Sequence, residues 1–131
     1  MDQAPTLHLL PALGAAFEGG IFCGLTTTPD GTHHAVVLLP DAPAERLKWA
    51  DACAWAEGLG NGAQLPTRPV AALLFANAKA QFSEEWHWTS EVHAADSSYA
   101  WTQDFGYGGQ YGDHKGYAGR ARAVRLIQLA A

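Results

Sequence analysis

The chain of 131 residues is poor in cysteine, with two, and poor in charge, with 16% Asp, Glu, Lys and Arg. Two cysteines are too few for a disulfide framework and too sparse for a zinc site. Positive charge is scarcest: eight Lys and Arg stand against 13 Asp and Glu, a formal charge of -5. Phosphate backbones and anionic lipid surfaces both need clustered cations, so neither nucleic acid nor a membrane is expected as a partner. Long apolar runs are missing too, since the longest with strand character, Ala35 to Leu39, is far short of a membrane span. The apolar stretch from Leu7 to Phe17 is preceded by Asp2, where a secretion signal would carry positive charge. No low-complexity linker and no internal repeat occurs, so residues 1–131 read as a single domain. That length, with 48% hydrophobic residues, suffices for a sizeable core and is too apolar for disorder.

What the chain has in excess is glycine, 14 residues, and tryptophan, five. Both point to tight loops and large aromatic contacts. Residues 17–27 and 32–39 flank the turn signal Thr28-Pro29-Asp30-Gly31 and predict a hairpin. Val36, Val37, Leu38 and Leu39 are continuous rather than alternating, which predicts a strand covered on both faces. Pro43 opens a helix expected to reach Leu59, with Trp49, Ala50, Cys53 and Ala56 as its inner stripe and Trp55 pointing elsewhere. A second helix follows Thr67, its expected cap, and carries Val70, Leu73, Leu74 and Asn77 inward. Trp86 and Trp88 alternate as in a strand, and residues 98–105 alternate again, placing Tyr99, Trp101 and Gln103 on one face. Between Phe105 and Arg120 six glycines predict a long irregular loop. Residues 121–129 then close the chain as a strand with Arg120, Arg122 and Arg125 interleaved.

Six short motifs in this order carry a resemblance over roughly residues 45–127: Trp49 with Cys53, Leu65-Pro66-Thr67-Arg68, Trp86-His87-Trp88-Thr89-Ser90-Glu91, Tyr99-Ala100-Trp101 with Phe105, Lys115, and Arg120-Ala121-Arg122-Ala123-Val124-Arg125. Together they resemble the DUF1566 family, that of the C-terminal domain of the Legionella collagen-like adhesin. That family is similar in turn to the C-type-lectin-like fold of formylglycine-generating enzymes and of phage retroelement-diversified proteins. Where the family often has an acidic residue after the Leu-Pro-Thr turn, this chain has Pro69-Val70. The resemblance implies an α+β, C-type-lectin-like fold: two helices packed on small antiparallel sheets, with a long glycine-rich loop before the last strand. Read from the residues alone, helices on an antiparallel sheet with an irregular insert give the same α+β class.

The chemistry-bearing residues are sparse. Calcium-dependent lectins need adjacent oxygen ligands, and neither a Glu-Pro-Asn run nor a six-oxygen cluster is present, so calcium-independent behaviour is expected. His87, His93 and His114 follow no zinc spacing, and His33-His34 read as surface residues. Formylglycine-generating enzymes use a cysteine pair late in the chain, whereas Cys23 and Cys53 are early, and Cys53 falls on a buried stripe. No nucleophile elbow or phosphate loop is found, and no catalytic residue, cofactor or metal is assigned. The arginines near the closing strand read first as structural, forking onto carbonyls or carboxylates, and second as ligand contacts.

The glycine-rich loop has the composition of a recognition surface, rigid rings among small spacers. The candidate partner-binding residues are Tyr107, Tyr111, Asp113, His114 and Tyr117, with Trp101 and Gln103 as a supporting platform. The expected function is non-catalytic binding of a protein, with glycan second, by a phage or mobile-element product, cytoplasmic or virion-associated. Two alternatives stand beside it: a degenerate formylglycine-generating-type oxidase and a structural virion component.

Overall fold

The computed structural model describes residues 4–130. It is α+β, with two helices and two antiparallel sheets. A four-stranded sheet is ordered β1 (Ala16–Phe17), β2 (Gly20–Thr27), β3 (His33–Leu38) and β7 (Val124–Gln128). A three-stranded sheet is ordered β4 (Trp86–Val92), β5 (Tyr99–Asp104) and β6 (Gln110–His114). Helices α1 (Trp49–Gly58) and α2 (Arg68–Ala78) lie between β3 and β4 in the chain. No described helix is long and apolar enough to cross a membrane.

The expected hairpin forms. Asp30 Oδ1 accepts from the Thr32 amide at 3.1 Å and from the Thr28 and Thr32 hydroxyls at 2.5 and 2.7 Å. These donors, Thr28 first, hold the exposed Asp30 carboxyl down to about 2. The continuous apolar run also has its explanation. Val37 and Leu39 enter a cluster with Ala52 and Ala56 of α1 and with Trp88, whereas Val36 and Leu38 enter a second cluster with Val70 and Leu74 of α2 and with Phe82 and Phe105. β3 runs between β2 and β7 with a core on each face, so its buried stretch from Ala35 to Leu38 is apolar throughout.

α2 follows expectation: Thr67 Oγ1 accepts from the Val70 amide at 3.4 Å, and Pro69 sits in the first turn. Asn77 is exposed rather than inward, but its Nδ2 donates to the Cys23 carbonyl at 2.8 Å. α1 differs. It starts at Trp49, not Pro43, because Leu47 is held in a bridge with Gly119, their amides and carbonyls exchanging bonds of 2.8 Å. Its inner face is set by Ala52 and Ala56, Ala50 being exposed, and Trp55 packs partly buried on the same cluster. The Leu47 bridge explains Gly119: a Cβ there would lie 2.2 Å from the Trp86 ring.

The largest departure concerns residues 106–119. They are not one irregular loop, since β6 pairs with β5 at five consecutive positions from Gln103↔Gln110 to Tyr99↔His114. Three of the six glycines, Gly106, Gly108 and Gly109, sit in the connecting turn, where Gly108 adopts a φ of 91° and a side chain would strike Phe75. The closing strand is likewise shorter than 121–129. The Arg120 and Ala123 carbonyls are drawn to Trp88 and Leu39, so regular pairing begins at Val124.

Candidate functional site

Alternation along β5 places Tyr99, Trp101 and Gln103 on one face, joined from β6 by Gln110, Gly112 and His114. Exposure falls along that face, from Tyr99 at 36% through half-buried Trp101 to Gln103 at 1%. At the open end the His114 ring meets Tyr99 edge-on at 5.5 Å and Tyr117 at 5.8 Å. Next along, His93 stacks on Trp101 with centroids 4.8 Å apart and planes 18° from parallel. His93 can lie there because Gly112 carries no side chain: a Cβ would be 3.0 Å from the imidazole. The Arg68 guanidinium lies 3.6 Å from the Trp101 ring centroid.

The seven residues singled out in the sequence therefore do not form one patch. Trp101, His114 and Tyr117 share the face just described. Tyr111 and Asp113 point to the opposite face of β6 and line an open groove of about 650 Å³ with Arg46, Trp86 and Asp104. Asp113 Oδ2 accepts from the Thr102 hydroxyl at 2.7 Å. Tyr107 stands in the turn, 95% exposed. Gln103 is no surface platform. Its Nε2 donates to the carbonyls of Gly108 at 3.0 Å and Asp104 at 3.1 Å, and its Oε1 accepts from Gln110 at 2.9 Å. An amide with this many internal partners is drawn under the turn it fastens.

Arg68 and His93 were not among the candidates. Arg68 appears in the Leu-Pro-Thr-Arg run, but only tertiary packing brings the start of α2 against β5.

The arginines near the closing strand are spent on the fold. Arg122 donates to the Gln81 and Leu39 carbonyls at 2.5 and 3.0 Å, and its guanidinium lies 5.0 Å from the Phe82 centroid. Arg125 donates to the carbonyls of Glu18 and Asn61. Arg120 shares Glu85 with Arg46, and these donors, Arg46 first, lower the Glu85 carboxyl to about 2.

His87 is buried between Phe82 and Phe105, with ring distances of 5.2 and 4.9 Å. Burial pushes its pKa down to about 4, against the smaller upward pull of a Glu85 carbonyl bond at 3.0 Å. His34, expected at the surface, is half-buried, and its Nδ1 lacks a partner among the described residues. The two thiols belong to different clusters, Cys23 with α2 and Cys53 with α1, and burial raises both. Among the described residues no three His, Cys, Asp or Glu side chains converge as a metal site would require. No protein-family model matches the chain, and no curated protein matches its sequence.

Proposed function

We propose that the chain is a non-catalytic binding module, a C-type-lectin-like domain of phage or mobile-element type related to the DUF1566 family. It recognises a protein, with glycan the second class. The observation that supports this reading is the presentation of Tyr99, Tyr111, Tyr117 and His114 on the paired strands β5 and β6 and the turn after them. Tyr99, Tyr111 and Tyr117 are 36%, 56% and 59% exposed. Rings on a β-ladder lose little freedom when they bind, and such anchors at the centre of an interface are each typically worth about 2 kcal/mol or more. The oxidase alternative draws no support from two raised thiols in separate clusters.

The test is capture of a partner from host lysate, identification by mass spectrometry, and calorimetric titration of the purified partner, with a glycan array run in parallel. Because Tyr111 and Tyr117 serve opposite faces, Tyr117→Ala and Tyr111→Ala report on each face separately. Loss of binding in the double variant, with an unchanged circular dichroism spectrum, supports the reading. Normal binding by the folded double variant would sink it.

A further inference from the structure

A cavity of about 630 Å³ opens where the tip of the β2–β3 hairpin, the first turn of α2 and the strands β4 and β6 meet. Its apolar wall includes Pro69, Val70 and Leu126, and its polar edge Arg68, Gln110 and Glu91. Resting on the binding-module reading, we infer that Arg68 heads a receptor site for a carboxylate of the partner chain, carried beside an apolar side chain that fills this cavity.

Arg68 is held in place without being used up. Its Nε donates to Gln110 Oε1 at 2.9 Å, and its guanidinium stacks on Trp101. Gln110 Nε2 donates to the Arg68 carbonyl at 2.8 Å and to Gln103 Oε1 at 2.9 Å. Gln103, fixed beneath the turn, thus anchors Gln110, and Gln110 anchors Arg68. Arg46, Arg120, Arg122 and Arg125 each reach a carboxylate or a backbone carbonyl. Arg68 meets only a neutral amide and a ring. Among the described residues its two terminal nitrogens have no hydrogen-bond partner and no carboxylate within 4.0 Å. Two parallel donors already oriented match the two oxygens of a carboxylate.

Glu91 narrows the ligand. Its Oε2 accepts from the Arg68 backbone amide at 2.7 Å, so it caps the helix start rather than pairing with the guanidinium. Its charge remains beside the cavity, and the whole chain carries -5. A dianionic phosphate is therefore a poorer match than a single carboxylate with an apolar body. The cavity supplies room for that body against Pro69, Val70 and Leu126.

The test titrates the whole chain with N-acetyl-leucine and with N-acetyl-leucinamide, equal in apolar body and different in charge. It is read from the Arg68 Nε–Hε and Trp101 indole resonances. The acid is expected to shift both, with a dissociation constant in the millimolar range, and the amide at least ~10-fold more weakly. Arg68→Gln should abolish the response while resonances elsewhere stay in place. Arg68→Lys keeps the charge but not the fork, and should weaken it several-fold. A further arm uses N-acetyl-Leu-Glu-Leu-amide. If it binds, the site takes a side-chain carboxylate; if only the free acid binds, it takes a chain end, and either result upholds the site. Equal shifts with acid and amide overturn it, as does an acid response that survives Arg68→Gln. Should Arg68→Gln fail to fold, the acid–amide contrast and Arg68→Lys decide. A captured partner that binds the parent and folded Arg68→Gln equally overturns this site and leaves the tyrosine surface standing.

Discussion

The two sheets are held together differently. Strand β3 of the four-stranded sheet buries Ala35, Val36, Val37 and Leu38, and beneath α2 Val36 and Leu38 pack against apolar Val70 and Leu74. The three-stranded sheet has apolar Trp88 and Ala100 but also all four buried polar side chains of the described chain, His87, Thr89, Thr102 and Gln103. Thr89 and Thr102 tie strands by donating to the Trp101 carbonyl and to Asp113, and Gln103 fastens the β5–β6 turn. Apolar burial is non-directional and supplies stability; hydrogen bonds fix positions and contribute little net energy each. The sheet that carries the exposed rings is the one whose geometry is specified bond by bond.

Removing bulk from the apolar side should have the largest effect. Leu74 is fully buried beneath β3. Leu74→Ala should cost about 3 kcal/mol of unfolding free energy, measured by urea denaturation. A loss under half that would mean this cluster is not the main source of stability.

Acid should probe the polar side on a comparable scale. His87 has a folded pKa of about 4 against 6.5 when unfolded. The unfolded chain takes up the proton first, so the stability is intact above pH 6.5, declines as pH falls toward 4, and then levels off. The full loss is about 3 kcal/mol. Glu85, lowered from 4.5 to about 2, adds an acid loss only below its own unfolded value, so the slope above pH 4.5 belongs to His87 and not to Glu85. Stability measured against pH should show the upper slope in the parent and lack it in His87→Phe.

Arg122, just ahead of β7, ties the carbonyl after β3 to that of Gln81 beyond α2. Arg122→Ala leaves both carbonyls and Phe82 uncovered and should cost about 2 kcal/mol. A calorimetric melting temperature equal to the parent's would remove it from the fold's framework.

The smallest effect is expected at the surface. Tyr111→Ala and Tyr117→Ala should change stability by no more than about 0.5 kcal/mol each, read from the same urea curves. A larger loss would make these rings part of the core and merge the surface into the sheet beneath it.

Much of the first region was legible in the sequence. Local signals suffice for a Pro-Asp-Gly turn, a Thr-capped helix and an apolar strand, because each is decided within a few residues. The start of α1 was not legible, since the bridge from Leu47 to Gly119 that delays it joins residues far apart in the chain. The same holds for β6. Gly112 within it and the glycines flanking it argue against regular structure locally, yet five consecutive pairings with β5 outweigh that propensity. Of the candidate residues, the exposed tyrosines could be named from composition, but not their division between two faces.

Composition and local pattern determined the α+β class, the hairpin, the second helix, the doubly covered strand β3 and the aromatic character of the last third. Tertiary structure decided the rest: Gln103 inward, Tyr111 away from Tyr117, and Arg68 onto Trp101. The reason is range. Turn dihedrals, caps and hydrophobic periods are set by neighbours in sequence. Whether a polar side chain faces water or a buried carbonyl depends on which distant strand or helix arrives beside it.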